Sequence, residues 1–100
     1  MGGAGDLLRV GVAGTGSLGF HHARILRDVE GVAMAGIFEI RSERADEVGR
    51  ELGLQAHPTL EELLEATDAL VVAVPTLEHE SVAVPALERG IHVLVEKPMA

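Results

Sequence analysis

The sequence predicts an α/β fold, a parallel sheet with helices packed on both of its faces. Three observations lead there. Short β-branched, apolar runs alternate with helix-length amphipathic stretches along the whole chain. The runs are apolar on both faces, which suits strands lying between two helical layers. And the first run feeds straight into a glycine-rich turn, Gly14, Gly16 and Gly19, that opens a helix.

Taken in order, residues 1–6 (MGGAGD) form a Gly-rich, flexible tail. LLRVGVAG, residues 7–14, is the first buried strand. In residues 17–29 the apolar positions Leu18, Ile25, Leu26 and Val29, together with His22, recur at helical spacing. VAMAGIFE, residues 32–39, is the second strand. Ser42 is positioned to cap a helix reaching Leu52, with Gly53 as its stop. A very short third strand is expected at residues 55–57, ended by Pro58. Thr59 with Glu62 matches a capping box for a helix through Glu65. ALVVAV, residues 69–74, is the clearest strand. A helix over residues 77–89 follows, stopped by Gly90, with a kink or restart expected at Pro85 because proline cannot donate back to Ser81. Residues 91–95 (IHVLV) close the series as a fifth strand.

Composition narrows the function classes. The net charge of −8 argues against binding the phosphate backbone of nucleic acid and against anionic membrane surfaces. No apolar run approaches the ~20 residues of a membrane span, and the N-terminus lacks the basic and apolar regions of a signal peptide. With no cysteine, disulfides and thiolate chemistry are excluded. The expectation is a cytoplasmic domain.

Four stretches carry chemistry. GTGSLG (Gly14, Thr15, Gly16, Ser17, Leu18, Gly19) has the G-x-G-x-x-G spacing between a strand and a helix. Its glycines permit a tight turn, close approach of backbone to a pyrophosphate and close helix–strand contact, and the helix start offers free N–H groups to phosphate. Glu39, twenty residues past Gly19, falls where a carboxylate can accept from both adenosine-ribose hydroxyls and repel a 2′-phosphate. That favours NAD, while Arg41 two residues on can receive a 2′-phosphate and keeps NADP open. VPTLEHE leaves the fourth strand beside the expected ligand crevice: Val74 and Pro75 would shape the turn by the cofactor, Thr76 can cap the helix, and His79 is either a packing or a ligand-contacting histidine. Last, Glu96-Lys97 arrives at the end of the fifth strand, on the sheet edge that carries the glycine loop. A lysine beside a nicotinamide can assist proton transfer once burial or neighbouring charge lowers its pKa from ~10.4.

Together these residues resemble the N-terminal domain of the Gfo/Idh/MocA oxidoreductases, the glucose–fructose oxidoreductase and inositol dehydrogenase family. The similarity runs from Arg9 to Ala100. VGVAGTGSLGFHHARIL is similar to the family's first strand and glycine loop, with His22-Ala23 at its usual His-Ala position, and GIFEIRSERA is similar to its second strand, with Glu39 where Asp is commoner. The most specific part is Pro75 and His79, then Gly90, then Glu96-Lys97-Pro98. Thr76 stands where the family frequently has Asn, and Pro85 where it has a helix former; Thr76 with His79 leans toward the nucleotide-sugar 3-dehydrogenases. The resemblance implies a Rossmann-type doubly wound sheet of order 3-2-1-4-5 over residues 7–100, an NAD(P)-dependent hydride transfer at a sugar, polyol or nucleotide-sugar hydroxyl, and a catalytic role for Lys97, often followed by a cis bond to Pro98. It also implies a second α/β domain, absent from this chain, that supplies the remaining catalytic groups and a homo-oligomer interface. In that order the fifth strand is an unprotected edge, which points to a longer polypeptide or a covering partner. The alternatives are a stand-alone nucleotide-sensing module without turnover, or a Rossmann domain for an adenosyl-methionine or flavin ligand.

Overall fold

The computed structural model describes residues 7–96. Four strands, β1 (Leu8–Ala13), β2 (Val32–Phe38), β3 (Ala69–Val72) and β4 (His92–Val95), alternate with helices α1 (Ser17–Arg27), α2 (Ser42–Leu52), α3 (Leu60–Glu65) and α4 (His79–Glu88). All pairings are parallel and the sheet order is β2-β1-β3-β4. The expected third strand is reduced to one bridge, Ala56 against Ile37 on the outer side of β2. Ile37 N–H donates to Gln55 O and His57 N–H to Ile37 O, both at 2.9 Å. Pro58 has no donor to extend the ladder, and Thr59 turns the chain into α3. With Ala56 counted, the spatial order is the expected 3-2-1-4-5.

The double-faced apolarity of the strands has a simple outcome. Val10 and Val12 of β1, Ile37 of β2 and Val71 of β3 pack with Ala23 of α1 and Val48 and Leu52 of α2. Ala13 of β1 and Leu70 and Val72 of β3 pack on the other face with Leu63 and Leu64 of α3 and Val82 and Ala86 of α4. Neighbouring residues along one strand thus enter different cores, as the two-residue period of a strand requires. Each fully buried Val, Leu or Ile side chain contributes roughly 1.5–3 kcal/mol of transfer free energy, so this three-layer sandwich is held mainly by aliphatic burial.

Helix ends agree with expectation only in part. Thr59 Oγ1 accepts from Glu62 N–H at 3.1 Å and caps α3. Ser42 is the first residue of α2 rather than its cap; Arg41 holds that position without a side-chain bond. The last helix runs through Pro85 as one element, so no restart occurs there. Ser81, whose carbonyl loses a helical donor to Pro85, is exposed and open to water. The irregular stretch comes earlier, as a 3₁₀ turn over Thr76–Glu78.

Candidate functional site

The turns that leave β1, β2, β3 and β4 all emerge at the carboxyl edge of the sheet and line a single cavity of about 820 Å³. Gly14, Gly16, Ser17 and Leu18 form one wall, Glu39 and Arg41 a second, Val74, Pro75 and Thr76 a third, and Glu96 stands at the end of β4. This is the crevice position in which open α/β sheets bind ligands.

The glycine turn is built with little freedom. Gly14 has φ +93°, and a Cβ on it would lie 2.8 Å from the backbone of Ala73 and Val74. A Cβ on Gly19 would lie 1.8 Å from Gly14 O, so the helix can start this close to the strand only with glycine there. Gly16 is different. Its φ is −68°, which any residue adopts, and a Cβ on it would meet nothing within 4 Å. The fold does not require glycine at this position, and its backbone is left open to the cavity. Gly16 also precedes α1, whose first N–H groups have no carbonyl within the helix to serve them. Free donors, a positive helix end and an open face are what a diphosphate needs, so the residues present fit a dinucleotide.

Thr15 and Gly19 do not line the cavity. Thr15 is wholly buried: its N–H and Oγ1 both donate to Glu39 Oε1, at 2.8 and 3.1 Å, and its carbonyl accepts from Arg44 Nε at 2.8 Å. Glu39 is almost saturated. Besides the two bonds from Thr15, it accepts from Arg41 N–H at 3.0 Å, Arg41 Nε at 2.9 Å and Arg41 Nη2 at 3.3 Å. Burial alone would raise the Glu39 pKa, but hydrogen bonds from the Arg41 side chain, the Thr15 and Arg41 amides and the Thr15 hydroxyl outweigh it and hold the carboxyl at about 2. The same contact raises Arg41 above its ordinary value.

His79 is not part of the cavity lining either. Its Nε2–H donates to Val74 O at 2.9 Å, so the ring ties the start of α4 to the end of the β3 segment. Lys97 and Pro98 lie outside the described residues, as does the residue 1–6 tail. Three contributors were not assigned to the site from the sequence. Arg44 reaches back from α2 to the glycine turn. Exposed Ile40, between Glu39 and Arg41, lines the cavity. His22 Nε2 comes within 3.1 Å of Glu96 Oε1 but lies off the hydrogen-bond direction. Among the described residues no group of three or more His, Cys, Asp or Glu side chains could hold a metal ion, and no helix is long and apolar enough to cross a membrane.

A doubly wound parallel sheet with a glycine turn between its first strand and first helix defines the Rossmann class of dinucleotide-binding domains. Within that class the chain belongs to the Gfo/Idh/MocA family: the model of the oxidoreductase family with an NAD-binding Rossmann fold matches residues 8–100. It is 41% identical over 91 residues to the UDP-N-acetylglucosamine 3-dehydrogenase of Acidithiobacillus ferrooxidans, covering 91% of this chain and 28% of the relative. A solved structure of that relative superposes with a TM-score of 0.85 over 91% of this chain and 30% of the other. The inositol 2-dehydrogenase of Leifsonia xyli subsp. xyli is 41% identical over 95 residues, 92% of this chain and 28% of the relative. GenD2 from gentamicin A biosynthesis, solved in complex with NAD, has 30% identity and a TM-score of 0.85, over 93% of this chain and 27% of its own. The chain thus spans under a third of the length of these relatives.

Proposed function

We propose that this chain is the cofactor-binding part of an oxidoreductase that moves a hydride between NAD(H) and a hydroxyl-bearing carbon of a sugar, polyol or nucleotide-sugar. The observation that carries the reading is Gly16: an unstrained, unobstructed glycine at the head of α1, facing the cavity. The 3-dehydrogenase and inositol 2-dehydrogenase relatives support the substrate class.

In this reading the amides of Gly16, Ser17 and Leu18 receive the pyrophosphate at the head of α1. Val74, Pro75 and Thr76 border the nicotinamide half, and Glu96 stands beside it. His79 acts by fixing the Val74 carbonyl, and Thr15 and Gly19 by shaping the turn. Glu39 and Arg41 meet the adenosine ribose. Arg41 is 62% exposed at its side chain, so it can swing into solvent and free Glu39 Oε2 for ribose hydroxyls, whereas a 2′-phosphate would retain it. NAD is therefore the proposed cofactor, with NADP within reach. The bound cofactor supplies the hydride acceptor or donor, and Lys97, on its likeness to the family's Glu-Lys-Pro lysine, exchanges the proton of the reacting hydroxyl. A second domain supplies the remaining catalytic groups and the interface of a homo-oligomer.

Titration with NADH and NADPH, read by fluorescence or calorimetry, tests this. Absence of binding at millimolar concentration contradicts the reading. A preference for NADPH of about tenfold or more, ~1.4 kcal/mol, contradicts the role given to Glu39.

A further inference from the structure

We infer that Arg44 is a positioning residue of the dinucleotide site, which locks the Thr15–Gly16 peptide so that its N–H faces the cavity. The inference rests on the cofactor reading above and concerns a residue that makes no contact with the cavity.

Arg44 is the third residue of α2. A cation in the first helical turn sits against the positive end of the helix dipole, so position alone disfavours it. Its contacts explain it. Nε donates to Thr15 O at 2.8 Å, Nη1 pairs with Glu47 Oε1 at 2.6 Å, and the guanidinium lies 5.6 Å from the centre of the Phe20 ring on α1. One side chain joins α2, α1 and the turn after β1.

The consequence follows from the planarity of the peptide. In a trans peptide the C=O and the N–H of the next residue point in opposite directions, and no cis bond occurs among the described residues. Holding Thr15 O toward α2 therefore turns Gly16 N–H away from α2. Glu39 does the same for the preceding peptide: by accepting Thr15 N–H at 2.8 Å it sends Gly14 O the other way. Thr15, with no exposed surface, is a bolt held by a cation on one side and an anion on the other. Without Arg44, the Thr15–Gly16 peptide can rotate and present a carbonyl to the diphosphate where a donor is needed. Since Gly16 carries no side chain to oppose the rotation, the restraint has to come from elsewhere.

Arg44→Lys separates the lock from the charge. Lysine keeps the cation but places a methylene where Nε donates. Arg44→Met removes both, and Glu47→Gln, which removes only the charge of the outer partner, is the control. In the full-length protein, NADH dissociation constants at low and high salt are measured beside melting curves and ¹⁵N-glycine spectra. The expected result is a loss of about tenfold in NADH affinity for both Arg44 variants, unrelieved by salt because no screened charge is involved. Melting should stay near wild type, and the response to NADH should be lost at Gly16 while the sheet glycines Gly11 and Gly36 are unmoved. Glu47→Gln should bind as wild type. The inference is overturned if Arg44→Lys binds within about twofold of wild type, if the glycine resonances change throughout the sheet, or if both variants fail to fold. Wild-type protein that binds no NADH would instead remove the cofactor reading itself, and this inference with it.

Discussion

Replacing Glu39 by glutamine tests whether the carboxylate is the anchor of the site. Its pKa of about 2, against an ordinary 4.5, is a lowering that at ~1.4 kcal/mol per unit corresponds to roughly 3 kcal/mol. Arg41 is 62% exposed, so solvent screens its share, and roughly 1–2 kcal/mol is the part expected to reach stability. Glutamine loses this charge and turns an N–H₂ group toward donors of Thr15 or Arg41, leaving a buried donor unpaired, so the total cost is set at roughly 2 kcal/mol near neutral pH. Urea denaturation of wild type and Glu39→Gln over a pH series reads the difference. The unfolded chain takes up the Glu39 proton near its ordinary pKa, while the folded chain resists until about 2. Wild-type stability from this group is therefore complete above about pH 5 and falls as pH drops toward about 2, where the two proteins converge. A difference below about 0.5 kcal/mol at neutral pH, or one that does not narrow on acidification, refutes the anchoring role.

Two further outcomes are expected. Gly19→Ala forces a Cβ to within 1.8 Å of Gly14 O; it should destabilise the fold by roughly 2 kcal/mol or more by urea titration, and a neutral effect would mean the turn relaxes freely. Lys97→Ala in the full-length protein should cut turnover at least about a hundredfold while NADH affinity stays within about threefold of wild type, as expected of a proton-transfer group; surviving turnover removes the lysine from the chemistry.

Much of this fold is legible because its signals are local or periodic. The aliphatic runs of β1 and β3, the Thr59 cap and the glycine spacing each specify their structure within a few residues. The third strand was overestimated because a ladder depends on its neighbours: Gln55 and His57 pair only with Ile37, and Pro58 stops the rest. The site divides in the same way. Gly14, Gly16 and Glu39 are found by spacing alone. That Thr15 faces inward is tertiary information, set by Glu39 just past β2 and Arg44 from α2, 24 and 29 residues away. His79 shows the limit of motif reading, since its position beside the site was foreseen but its ring is spent on Val74 O.

The most direct test of the dinucleotide assignment is the NADH affinity of Gly16→Ala. The added methyl meets no protein atom within 4 Å and the backbone there suits alanine, so stability should remain within about 1 kcal/mol of wild type. NADH binding should nonetheless weaken by at least about tenfold, because the methyl occupies the space through which a pyrophosphate approaches the backbone. Unchanged stability with unchanged affinity would contradict the account, leaving Gly16 without a ligand to explain it.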